Sequence, residues 1–379
     1  MAEALFINIV CFDVPLPSDY GGAIEEFYKL KSLYLLGVKI HLHCFVYGDR
    51  KQQQELQNYC EKVYYYERKR SIKDVFSVLP FIVKSRMTDD LLRNLLLNDF
   101  PILFDATHTT GFLHHPALKN RKKMVRLHNI EWMYYSVLFH SAITLKERIF
   151  YFTEYKKLRT YDQCLAAADV LSCLSLTDME YYKDKFPEKV VSLEHVFHQN
   201  EKMECLPGKG DYLLYHGNLS ILDNYMLVID VLNNELKNCN YPIVLAGKRP
   251  HKLLLDFVKN KPHIRLVADP TDAELKHLIQ HAHICLALAA NPSGVKLKLI
   301  NSLYLGRFIF VNDSALHGNE LAGCTVNISE NFSSSVIDSY MQRTFTETDV
   351  EIRKKILSDN FDNLKNAQQL IKLIVGIKK

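Results

Sequence analysis

The sequence predicts an α/β protein built from two doubly wound, Rossmann-like domains, and three observations predict it. Short apolar segments of strand length alternate with longer segments of helical spacing along the whole chain. The alternation stops at a polar stretch near the middle and then restarts. Finally, 379 residues with 48% hydrophobic content exceed one ordinary core and suit two domains of about 200 residues or fewer.

The first apolar strand, Leu5 to Phe12, ends in Pro15, Pro17, Gly21 and Gly22, after which Ile24, Phe27, Tyr28, Leu35 and Leu36 recur at helical spacing. Further strands are expected at Val38–Val46, Lys62–Tyr66, Ile102–Asp105 and Met124–Leu127, with gaps long enough for crossover helices, so the sheet is expected to be largely parallel. A long helical stretch from Ile143 to Ala168 precedes strands Asp169–Leu174 and Val190–His195. The Pro- and Gly-containing stretch His198–Gly210 reads as the linker, giving a first domain over 1–204 and a second over 205–360. Residues 361–379 are expected to form a C-terminal helix returning to the first domain. In the second domain, strands are expected at Tyr212–Tyr215, Pro242–Ala246, Ile264–Val267, Ile284–Leu288 and Phe308–Asn312. Open parallel sheets bind ligands beyond the carboxyl ends of their strands, so the expected site lies in a cleft faced by both domains.

Composition removes several function classes. A formal charge of +4 is small for this length and gives no concentrated basic face, so nucleic acid is not an expected partner. Nine cysteines without a CxxC pair suit core thiols in a reducing compartment better than disulfides or a zinc site. His41 and His43, His114 and His115, and His281 and His283 have no third partner at ligand spacing, so no metal site is expected. No apolar run approaches the roughly 18 residues of a membrane span, and the start does not read as a signal peptide, so a cytoplasmic location is expected. The basic groups Arg121, Lys122, Lys123 and Arg68, Lys69, Arg70 with Lys73 are either solvated faces or a peripheral contact with the inner membrane face. There is no P-loop and no GxSxG elbow.

The candidate chemistry lies at expected strand ends. Gly21 and Gly22 open the first helix, where a ligand can reach backbone N–H groups; a plain tight turn is the alternative. Arg126, His128, Asn129 and Glu131 follow a buried strand. Helix capping accounts for Asn129 and Glu131 but leaves His128, an imidazole suited to bonding a sugar hydroxyl or leaving phosphate. In the second domain Gly294, Lys298 and Asn301 fall at i, i+4 and i+7 on one polar stripe, and Val295, Leu299 and Leu303 on an apolar line. A phosphate site and an ordinary amphipathic helix both fit that pattern. Lys248 and Arg249 end another strand, as a solvated turn or as added cleft charge.

With these residues in place, the chain resembles bacterial glycosyltransferases of the GT-B fold, the retaining family 4 group in particular. The resemblance rests on the loop Pro15–Gly22, on RLHNIEWMYY from Arg126 to Tyr135, and on Ala168–Ser175 with Asp178. In the second domain it rests on Tyr215-His-Gly-Asn-Leu-Ser220 with Asn224, on Val244–Gly247, and on SGVKLKLINSLYLG. It implies a UDP- or GDP-sugar donor held mainly by the second domain and a glycan, lipid-linked or other polysaccharide-precursor acceptor on the first. No cofactor or metal is implied. Donor contacts would come from Gly21, Gly22, Gly217, Lys248, Ser293, Gly294, Lys298 and Asn301. His128 would touch the transferred sugar, and Arg126, Asn129 and Glu131 would lie on the acceptor side. Family members commonly carry two glutamates eight positions apart, the second on the ribose, where this chain has Ser293 and Asn301. Losing a charged acceptor removes about 1.5–3 kcal/mol, or one to two decades of affinity. Two readings therefore stay open: a transferase with weakened ribose binding, and a non-catalytic GT-B-like protein that binds a glycan or a partner transferase.

Overall fold

In the computed structural model, residues 4–376 are described apart from 70, 72, 73, 75, 143, 292–295, 317–320 and 322. The chain forms two units, Met1–Gln199 with Phe361–Lys379, and Asn200–Asn360. The first holds β1 (Phe6–Val10), β2 (Lys39–Val46), β3 (Lys62–Glu67), β4 (Ile102–Asp105), β5 (Lys123–Leu127), β6 (Val170–Cys173) and β7 (Val190–Leu193). They make one sheet in the order β3-β2-β1-β4-β5-β6-β7, with every pairing parallel. Strands β4, β5 and β6 are buried along their whole length, as expected of a sheet covered on both faces. The strand order reverses between β1 and β4, which opens a crevice at their carboxyl ends.

Helix Gly21–Leu35 follows β1 and buries Phe27, Leu30 and Leu33. Helix Asn363–Val375 adds Ala367, Leu370 and Ile374 to the same core and stops at Gly376, in the left-handed conformation. Its start is tied down by Asn363 Nδ2, which donates to the His198 carbonyl at 2.7 Å. The break between units falls at Gln199/Asn200 because the next residues already belong to the second: the Glu204 N–H donates to the Tyr304 carbonyl at 2.8 Å, and Cys205 lies in the second core. The long helical stretch expected over 143–168 resolves into helix Leu145–Tyr161 and a tight 3-10 turn, Asp162–Ala167.

The second unit holds β8 (Leu213–Asn218), β9 (Ile243–Lys248), β10 (Ile264–Ala268), β11 (Ile284–Leu286), β12 (Phe308–Val311) and β13 (Val326–Asn327). These pair in parallel in the order β10-β9-β8-β11-β12-β13, so the reversal recurs between β8 and β11. The two-residue β13 is too short to leave a periodic signal in the sequence.

Two readings of basic residues change. Arg121 is only 9% exposed and donates to the carbonyls of Leu95 (2.9 Å), Asn98 (2.6 Å) and Phe100 (2.9 Å), while the Lys123 ammonium donates inward to the Leu113 carbonyl at 3.3 Å. Arg121 ties the β4–β5 connection to the segment before β4 and Lys123 ties it to Leu113, so the two do not form a membrane-facing run. Arg70 and Lys73 lie outside the described residues.

Candidate functional site

Each unit places polar side chains at its own strand reversal. In the first, β4 ends in Asp105, and Ala106 turns the chain with φ 63°, a conformation that L-residues adopt at a cost. Thr109 Oγ1 bonds the Asp105 and Ala106 carbonyls, both at 3.1 Å, and so holds that turn. Asp105 is fully buried; one oxygen meets the Lys29 ammonium and the other lies 2.8 Å from His128 Nε2. Lys29 in turn reaches Glu25 at 3.1 Å, one helical turn earlier. Glu25 accepts from Arg126 at 2.7 Å, and Arg126 also donates to Ser172 Oγ (3.2 Å) and the His195 carbonyl (2.8 Å).

The charges in this cluster balance. Burial would push the Glu25 carboxyl up, but Arg126 and Lys29 outweigh it and hold the pKa below the usual range. Asp105 is likewise held down, burial being overcome by Lys29 and then His128. Glu26, equally buried, is pushed well up by burial and by the Asp105 charge. Its Oε1 accepts the Phe12 N–H at 3.2 Å, and its Oε2 has no partner among the described residues. Glu25 and Asp105 thus face Lys29 and Arg126, an arrangement that makes buried charge tolerable. The trios Glu25–Asp105–His128 and Cys11–Glu26–Asp105 have ligand-like spacing, and Lys29 and Arg126 already supply the positive charge there.

His128 is held from a second side by Phe12, whose ring meets it edge-on at 5.7 Å. Phe12 is in turn set by Gly22: a Cβ at that position would lie 2.7 Å from Phe12 Cζ. Gly21 and Gly22 do open a helix, and its first turn carries no acidic side chain. The loop before them is fastened by Tyr20 OH on Asp13 (2.8 Å) and by Arg86 Nε on the Phe12 carbonyl (2.8 Å).

Arg126 does not fit an acceptor-side role, since it is 0% exposed and fully occupied within the buried cluster. Capping does not explain Asn129 and Glu131 either. Helix Glu131–Ser141 has Ile130 at its N-cap without a side-chain cap, and the Glu131 carboxylate lies 3.5 Å from His108 Nε2. Glu25, Lys29 and Asp105 were not singled out by the sequence reading. Their signal was a Glu–Lys pair one turn apart on an apolar helix face, and an acidic residue closing an otherwise apolar strand.

In the second unit, helix Leu297–Leu305 begins at Lys296, and Lys298 lies in its first turn, where the helix dipole disfavours a cation. Lys298 Nζ sits 3.0 Å from Tyr215 OH and 4.7 Å from the centre of that ring. No carboxylate pairs with it among the described residues; burial, with like charge from Lys296, lowers its pKa to about 7. Tyr215 OH also bonds Asn224 Oδ1 (3.3 Å), and Asn224 Nδ2 bonds the Asn218 carbonyl (2.9 Å). Gly217 borders this cation, since a Cβ there would come 3.9 Å from Lys298 Cδ. Lys248 ends β9 beside Asn218, one strand over. Asn301 Oδ1 accepts from Asn200 at 2.8 Å. Leu299 and Leu303 are buried, as the apolar line predicted. Ser293, Gly294 and Val295 lie outside the described residues.

With two doubly wound parallel sheets in one chain, this protein has the architecture of the GT-B fold, to which its neighbours among solved structures belong. No protein-family model matches the chain. It is similar to an uncharacterised 44.6 kDa protein in the cps region of Klebsiella pneumoniae, 24% identical over 392 residues, covering 94% of this chain and 98% of that one. Among solved structures it is similar to sucrose-phosphate synthase of Thermosynechococcus elongatus, with a TM-score of 0.71, 12% identity, and coverage of 98% of this chain and 99% of that one. It is also similar to HepE of Anabaena in complex with UDP, with a TM-score of 0.64, 12% identity, and coverage of 98% and 100%.

Proposed function

We propose that this protein is a retaining, metal-independent hexosyltransferase that moves a sugar from a UDP- or GDP-sugar to a glycan or lipid-linked polysaccharide precursor. The observation that carries the proposal is Lys298, a half-buried ammonium in a first helical turn that has, among the described residues, a tyrosine hydroxyl and ring but no carboxylate for partners. Such a cation is unfavourable alone and favourable against a diphosphate, which the helix N-terminus also attracts. Gly217 beside it leaves room for the phosphates, and Lys248 would add charge. In the first unit Gly21 and Gly22 would present backbone N–H groups to the donor, and His128 would bond the transferred sugar. Asp105 fixes that imidazole by taking Nε2, which leaves Nδ1 for the substrate.

The chemistry required of these residues is positioning and charge stabilisation. As the glycosidic bond breaks, negative charge gathers on the leaving phosphate, and Lys298 stabilises it there without reorganising. The leaving phosphate oxygen can then take the acceptor's proton. Support for the donor class comes from HepE, solved with UDP and with UDP and glucose, and support for the pathway from the cps-region relative.

Calorimetric titration with UDP, GDP and their sugars tests the donor. Binding by one of them is expected, and no binding at millimolar concentration would sink the proposal. His128→Ala is expected to lower transfer or slow donor hydrolysis about a hundredfold. A second reading, a non-catalytic glycan- or partner-binding protein, is favoured by Asn301, whose amide oxygen is taken by Asn200 at the position where the resemblance to family 4 implies a glutamate. Turnover that depends on His128 would exclude it.

A further inference from the structure

We infer that the helical hairpin Glu131–Ser141 and Leu145–Tyr161 of the first unit is a docking surface for an anionic lipid membrane. On the second helix Leu145, Arg148, Ile149, Phe152, Lys156 and Arg159 follow the i, i+3, i+4, i+7 pattern and share one face. That face is open: Leu145 is 74% exposed, Ile149 57% and Phe152 43%.

Both glutamates of the helix lie on the other side and are in use. Glu154 is buried and accepts the Phe81 N–H at 2.7 Å, and Glu147 closes the capping box with Thr144. The open face therefore carries three cations and no carboxylate. Among the described residues none of the three has an acidic partner. Each lies against an aromatic ring instead: Arg148 over Phe139 (5.3 Å), Lys156 over Phe152 (5.5 Å) and Tyr155 (5.3 Å), and Arg159 over Trp132 (5.6 Å). The first helix of the hairpin extends the apolar part of the surface, with Phe139 packed on Phe152 at 5.3 Å and Met133 exposed.

Exposed leucine, isoleucine and phenylalanine interleaved with basic residues match an interface between headgroups and acyl chains, where apolar side chains enter the lipid and cations meet phosphates. A second copy of the chain is the poorer occupant, because a two-fold contact through this face would set Arg148, Lys156 and Arg159 against their own counterparts. No described helix is long and apolar enough to cross a membrane, so the contact is peripheral. The docking itself stands without the glycosyl-transfer reading. What rests on that reading is one consequence: among the acceptor classes, the surface selects the lipid-linked one.

The test is co-sedimentation of the full chain with phosphatidylcholine vesicles, with and without phosphatidylglycerol. Binding is expected only with the anionic lipid, and it should weaken as salt is raised. Arg148→Gln, Lys156→Gln and Arg159→Gln should each lower partitioning about fivefold. Ile149→Ser with Phe152→Ser should lower it at constant charge. Since all these side chains are exposed, thermal unfolding should not move, and UDP-induced stabilisation measured on the same variants reports separately on the donor site. Equal binding to both kinds of vesicle, or none, would overturn the inference. So would a dimer, seen by sedimentation velocity, that the serine substitutions disperse.

Discussion

Lys298 concentrates the functional argument in one side chain, and its protonation gives it a signature. Because burial lowers its pKa from 10.5 to about 7, the unfolded chain holds the extra proton between those values. The contribution of this group to stability therefore rises with pH across that window. The proposed diphosphate binding would run the opposite way, since it needs the ammonium. Affinity for UDP should fall by up to about tenfold per pH unit above 7, with proton uptake on binding, and Lys298→Met should abolish both effects while weakening binding roughly tenfold or more. Calorimetry in buffers of different ionisation enthalpy reads both. Asp105 is the counterpart in the first unit. Asp105→Ala strips Lys29 and His128 of their shared partner and should cost about 3–5 kcal/mol in urea unfolding, far more than loss of an exposed aspartate.

The elements around these residues are packed closely enough that small substitutions become structural. A Cβ on Gly247 would fall 1.8 Å from the Gly217 carbonyl oxygen, backbone against backbone, where no rotamer change can relieve the clash. Gly247→Ala should force β8 and β9 apart and destabilise the second unit by about 3 kcal/mol or more, seen as a lower thermal midpoint. Gly22→Ala meets the Phe12 ring, which can give way, but the same ring packs on His128. That substitution should be mild in stability and should lower turnover more than donor affinity, a split that steady-state kinetics would show.

At the scale of the molecule, the first unit is discontinuous in sequence. Ala367, Leu370 and Ile374 bury themselves in its core, each worth about 1–3 kcal/mol, so truncation after residue 360 should remove the unfolding transition of that unit in calorimetry. Much of this architecture was legible in the sequence. Twelve apolar strand segments were read close to their final positions, because a buried parallel strand writes a continuous apolar run whatever surrounds it. The position of His128 was legible for the same local reason: a polar group directly after such a run marks a strand end, and β5 stops at Leu127. The partners of a buried charge were not, because Glu25, Lys29, Asp105 and Arg126 are separated along the chain by up to 101 positions and pair only once β1, β4 and β5 lie side by side. Exposure was equally hidden. Arg121–Lys123 read as a basic run and Ile143 to Ala168 only as a long helical stretch, yet packing folds Arg121 and Lys123 into a loop core and turns Arg148, Lys156 and Arg159 outward. The sequence by itself determined the strands and the two-sheet class; the tertiary structure alone decided which charges neutralise one another and which face solvent, because electrostatic partnership depends on distance in space and not on order along the chain.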